Sequence, residues 1–173
     1  MSVTRRRDKA VRLCRRANQL MDQERKQAAT SLLRRAIELD DSYYHAYFLM
    51  ALLLRDDNRP EEIACLRKSV ALEPRYQQSW YYLGVALSRT RDTLREGIMA
   101  LEEAHRLDPS DVWSVVMLGN RLSFAGDEDQ AGEFYRKAME MEPDNEQFRV
   151  WHEEYLRFSR EAVANNSYKP STN

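Results

Sequence analysis

The sequence predicts an all-α fold, a solenoid built from helical hairpins, on three observations. One phrase recurs four times, as AIELDD (36–41), SVALEP (69–74), AHRLDP (104–109) and AMEMEP (138–143). Its last residues are 33, 35 and 34 positions apart, and a period of that length marks stacked supersecondary units. Within each unit the apolar residues recur at spacings of three and four, twice over, with a polar break between the two runs. Glycine and proline number only five each, which leaves little room for the tight turns of a β-rich chain.

The elements follow in order. The first unit, about residues 10–41, carries Leu13, Ala17 and Leu20 and then Ala29, Leu33 and Ala36, with Arg16 beside the first stripe. In the second, 43–74, Ala46, Leu49, Met50 and Leu53 precede Leu66 and Ser69. The break DDNRPEE offers Asp57 or Asn58 as a cap and Pro60 for the first turn. Glu62 stands where a small residue would let the two helices approach. The third unit, 77–109, has Trp80, Leu83, Gly84 and Leu87, then Gly97, Leu101 and Ala104, and one extra residue in SRTRDTLREG predicts a lengthened turn.

The fourth unit, 112–143, has Val115, Leu118, Gly119 and Leu122, then Ala131, Tyr135 and Ala138. Between them AGDEDQA supplies a glycine stop and an acidic first turn. After Pro143, the residues Phe148, Trp151, Tyr155 and Phe158 form an aromatic stripe on a ninth helix, about 145–163. Such a helix covers the open end that a stack of hairpins must close. Residues 164–173 are polar and predicted to be disordered, so a single domain is expected over 1–163.

These units resemble the tetratricopeptide repeat. The match rests on Trp80, Leu83, Gly84, Leu87, Leu101, Ala104 and Pro109, and on Val115, Leu118, Gly119, Leu122, Ala131, Tyr135, Ala138 and Pro143. It implies a right-handed superhelix whose first helices line a concave surface where ligands bind, and a non-enzymatic adaptor or scaffold. Turning 100° per residue from the stripe that meets the second helix, the opposite face of each first helix can be read off. From the first unit Val11, Cys14, Arg15 and Asn18 are expected in the groove, and from the second Tyr44, Tyr47, Phe48 and Ala51. The third contributes Gln78, Tyr81, Tyr82 and Val85, and the fourth Trp113, Val116, Met117 and Asn120.

Trp80, Tyr81 and Tyr82 are consecutive, so Trp80 is assigned to the core while its two neighbours face the groove. An aromatic strip of that kind is expected to hold a peptide or helix of another protein, because a monomer seldom exposes a large apolar patch without a use. The family's best-known clamp for acidic chaperone tails needs Lys and Asn where this chain has Cys14, Phe48, Gln78 and Tyr82, so an apolar or aromatic-rich ligand is preferred. Two alternatives come from other classes. The strip is buried for good in a homo-oligomer or a larger complex, or the arginine-rich N-terminus (Arg5, Arg6, Arg7, Lys9, Arg12) binds nucleic acid. The second is disfavoured by a net charge of −1.

Chemistry finds no foothold. The five glycines form no phosphate-binding loop, and His45, His105 and His152 lie in separate units. Cys14 and Cys65 have no metal or disulfide spacing, so no cofactor, no metal and no small-molecule substrate are expected. Reduced cysteines, the lack of an apolar run after the N-terminal arginines and the lack of a membrane-length segment predict a cytoplasmic protein without a membrane span.

Overall fold

The computed structural model describes residues 3–166, with side chains placed as far as Arg157. Its described residues form four helical hairpins and a final helix, with no strand. They run α1 (Val3–Asp22), α2 (Lys26–Leu39), α3 (Tyr44–Leu54), α4 (Arg59–Leu72), α5 (Gln77–Leu87), α6 (Leu94–Leu107), α7 (Val112–Ala125), α8 (Glu128–Met141) and α9 (Glu146–Asn166). Each odd helix packs on the even helix that follows, and each even helix on the next hairpin. α9 continues to Asn166, so residues 164–166 are helical where disorder was expected. The rest of the tail, and the side chain of Phe158, lie outside the described residues.

Local chemistry sets the boundaries. Asn58 caps α4 by accepting from the Glu61 N–H at 3.3 Å, with Pro60 in the first turn. Asp111 and Asp127 cap α7 and α8 in the same way. Gly126 ends α7 with φ +88°, a left-handed conformation that favours glycine. The extra residue of the third unit appears as a 3₁₀ turn over Arg91–Thr93.

A continuous apolar interior runs along the hairpins, from Ala10 and Ala17 in α1 through Leu33, Leu49, Leu66 and Leu83. Small residues decide how close the helices come. A Cβ on Gly97 would lie 2.7 Å from the Ser88 nitrogen and 2.9 Å from the Gly84 oxygen, so α5 and α6 touch backbone to backbone. In the second hairpin Glu62 fills the corresponding slot and is only 2% exposed. Its Oε2 lies 3.9 Å from Arg89 and has no hydrogen-bond partner. Desolvation pushes its pKa up.

α9 closes the C-terminal end with its aromatic stripe. Phe148 is buried against Val112, Val115 and Ala138 and stacks on Trp151 at 5.8 Å. Tyr155 lies over Gly132, where any side chain would collide with its ring. At the other end the basic helix is partly committed to the fold: Arg7 pairs with Asp40, donates to Ser42 Oγ and lies 5.1 Å above the Tyr43 ring.

Candidate functional site

The odd helices share one face of the stack, and on it lies a cavity of about 550 Å³. Asn18 of α1 marks one edge and Trp113 of α7 the other. Between them the floor is a set of touching rings. Phe48 of α3 meets Tyr76 at 5.1 Å and Tyr82 at 5.7 Å, and Tyr82 meets Tyr81 at 5.3 Å, all edge to face. This geometry lets each ring present a positive edge to a neighbour's negative face. A second cavity of about 400 Å³, lined by Val11, Cys14, Arg15 and Tyr43, continues the surface towards the N-terminus. Asn18 and His45 line both.

The floor is electrically neutral. Burial pushes the Cys14 thiol up to about 11 and the Tyr76 phenol up to about 12, and it lowers the His45 pKa, which favours the uncharged imidazole. Asp111, which also lines the cavity, is engaged as the α7 cap: it accepts from the Ser114 N–H at 3.2 Å and from Gln77 Nε2 at 2.8 Å. That bond ties the third hairpin to the fourth. Among the described residues no group of three or more His, Cys, Asp or Glu side chains is arranged to hold a metal ion, and no helix is long and apolar enough to cross a membrane.

A tetratricopeptide-repeat profile matches residues 114–145, which span most of α7 and all of α8. The remaining hairpins repeat that architecture. This is a tetratricopeptide-repeat fold. Solved structures of similar fold include YrrB, described as a tetratricopeptide-repeat protein with an unusual peptide-binding site, with a TM-score of 0.76 and 19% identity over 87% of this chain and 78% of that one. PilF of Pseudomonas aeruginosa gives 0.78 at 20% identity over 94% and 74%. An O-GlcNAc transferase mutant of Thermobaculum terrenum gives 0.72 at 22% over 81% of this chain but 27% of the enzyme. At such identities the fold is what is shared. No curated protein matches the sequence.

The repeat frame shows which expected groove residues come together. Asn18, Phe48, Gln78, Tyr81, Tyr82 and Trp113 all line the larger cavity. Trp113 is 55% exposed, with one edge on Phe148 at 6.1 Å. Phe48 lines the cavity yet is only 4% exposed, because its neighbouring rings cover it.

Tyr44 and Tyr47 do not line the cavity, and the reason is a matter of register. Tyr43 and Tyr76 both stand at the N-caps of their helices, and Ala46 and Ser79 are both fully buried three residues later. Tyr47 therefore corresponds to Trp80 and faces its own second helix, with Lys68 Nζ 6.0 Å from its ring. The second unit is one residue short in the turn before Arg59. Counting back through that turn at the standard length rotates α3 by about 100°. The inward face of α3 is thus His45, Phe48, Leu49 and Leu52. Tyr44 instead packs its ring on Tyr76 at 4.9 Å.

Met117 and Asn120 of α7 are likewise absent from the lining. Met117 packs against the Val85, Leu118 and Leu122 cluster, and Asn120 accepts from the Tyr135 hydroxyl at 2.9 Å. Val116 and Ala51 are buried in the stack. Tyr76 was missed, although its signal was present: DSY at 41–43 and PRY at 74–76 place a tyrosine two residues after the repeat's end.

Proposed function

We propose that this chain is a non-enzymatic protein-interaction module, a cytoplasmic adaptor that holds a peptide or helix of a partner along the aromatic face of its odd helices. The observation that supports this most is the cavity between Asn18 and Trp113, floored by Phe48, Tyr76 and Tyr82 and left open in the isolated chain. Its volume suits a few side chains of a ligand. Tyr and Trp are the residues that concentrate binding energy, because they offer area with few rotamers to immobilise. The similar fold of YrrB, described as having an unusual peptide-binding site, agrees with this reading. Two free cysteines agree with a reducing compartment.

The test is a pair of variants measured against a displayed library of random peptides. Trp113→Ala and Tyr82→Ala are expected to lose the peptides selected by the wild type, with weakening of about tenfold or more for each. Tyr47→Ala serves as the control on the opposite face of α3. Selected peptides that bind the two groove variants as tightly as the wild type would remove the groove from consideration. A concentration-dependent dimer abolished by Trp113→Ala would show that the face is an assembly surface.

A further inference from the structure

We propose that the segment held in this groove carries a lysine or arginine beside its apolar residues, and that Asp111 receives this cation at the Trp113 end. The inference rests on the groove reading above and names the chemistry of the partner. Among the described residues that line the larger cavity, Asp111 is the one with a formal charge. The others are apolar, aromatic or neutral amide side chains, apart from His45, whose pKa burial lowers.

Asp111 is locked in place without being used up. Its Oδ2 accepts from the Ser114 N–H at 3.2 Å, from the Ser114 hydroxyl and from Gln77 Nε2 at 2.8 Å. All of these donors are neutral, so they orient the carboxylate and leave its charge. Oδ1 has no partner among the described residues and is not sealed off from the surface. The start of α7 contributes about half a positive charge against a full negative one, and the balance stays negative.

Nearby cations do not reverse this. Arg55 and Arg121 are not part of the cavity lining, and on the Tyr81 phenol Asp111 acts more strongly than either of them. Arg15 lines the smaller cavity, beyond Asn18 and His45. The negative site is therefore confined to the end of the groove where α5 and α7 begin.

Rings complete the seat. Trp113, 55% exposed, and Tyr81 line the same cavity, and the faces of such rings attract a cation. A neutral ligand laid over Asp111 would strip water from Oδ1 and return nothing, and an acidic one would add repulsion. A cationic side chain answers the carboxylate with its head and covers the rings with its alkyl stem.

The experiment uses the full chain and a displayed library of random peptides, selected in parallel on the wild type and on Asp111→Asn. Asn caps a helix as well as Asp does, so the variant keeps the start of α7 and loses the charge, which circular dichroism melts would check. Wild-type pools are expected to combine Lys or Arg with aromatic and aliphatic residues, and Asp111→Asn pools to keep the apolar residues without the basic ones. A peptide selected by the wild type is then resynthesised with norleucine in place of its basic residue. That exchange should weaken binding about tenfold, and Asp111→Asn should weaken the parent peptide equally while leaving the norleucine peptide unaffected. Additive losses, pools without basic residues or pools rich in Glu and Asp would overturn the cationic assignment, and the groove reading would stand as long as Trp113→Ala loses the same peptides. A groove filled by a second copy of the chain in sedimentation would also overturn it. No selected peptides at all, or peptides that bind Trp113→Ala and the wild type alike, would remove the groove reading itself.

Discussion

The ring of Tyr82 stands 5.7 Å from that of Phe48, tilted by 60°, and so the third hairpin leans on the second through the floor of the groove. The same contact serves two purposes. It fixes how adjacent repeats stack, and it presents the free side of Tyr82 to a ligand. Groove residues consequently fall into two groups, those that hold the stack and those that only face outwards.

Phe48 and Trp113 separate these groups. Phe48→Ala should lower stability by about 3–5 kcal/mol, the usual cost of removing a buried aromatic. Trp113→Ala, at a residue more than half exposed, should cost no more than about 1 kcal/mol. Urea denaturation followed by far-ultraviolet circular dichroism would measure both. Similar losses for the two would mean that Trp113 belongs to the core.

The contact between α5 and α6 yields a second expectation. Gly97→Ala introduces a methyl against the Ser88 and Gly84 backbones, which cannot yield as a flexible side chain would, so a loss of about 1–3 kcal/mol is expected. Gly126→Ala meets no atoms, and its cost of about 1–2 kcal/mol comes from the left-handed backbone alone. Gly126→Asn should recover part of the second loss, and Gly97→Asn none of the first. Melting temperatures of the four variants would decide.

Glu62 should make the fold less stable as pH rises. Its folded pKa lies above the unfolded value, so the folded state holds the proton more tightly and the advantage disappears as pH climbs from about 4.5 through the folded pKa. Glu62→Gln is expected to flatten that decline and to raise the melting temperature at neutral pH by a few degrees. An unchanged or lower melting temperature would show that Arg89, at 3.9 Å, outweighs the desolvation.

His45 and His105 act in the opposite direction on the pH scale. Both have folded pKa values depressed by burial, and Lys137 adds to the effect at His105. The unfolded chain takes up protons that the folded one refuses, so stability should fall as pH drops below about 6.5. The double variant His45→Gln, His105→Gln should hold its melting temperature between pH 6.5 and 5 where the wild type loses several degrees. Titration of the imidazole resonances by NMR would check the two values directly.

How far the sequence could be read depended on where the punctuation fell. The four endings AIELDD, SVALEP, AHRLDP and AMEMEP mark the second helices, and those helices lie where the phrases place them. The α9 stripe was equally legible, because Phe148, Trp151 and Tyr155 share one side of any helix. The face of α3 was not. Its missing residue lies in the turn before Arg59, which carries no marker of its own length, and the run Tyr44–Leu54, apolar except for His45, gives too little amphipathic direction to correct an error of one residue. The half-buried placement of Met117 and Asn120 escaped for a different reason: Met117 packs in a cluster that includes Val85 of the preceding hairpin, Asn120 accepts from Tyr135 on α8, and angle counting on one helix does not see a neighbouring one.

Trp113 has an optical consequence. Of the three tryptophans it alone is mostly exposed, while Trp80 and Trp151 are half-buried. A guest that shields its indole from water would shift its emission to shorter wavelengths and shelter it from acrylamide quenching. The chain therefore carries an intrinsic reporter at the mouth of its own groove, and titrations can proceed without an attached dye.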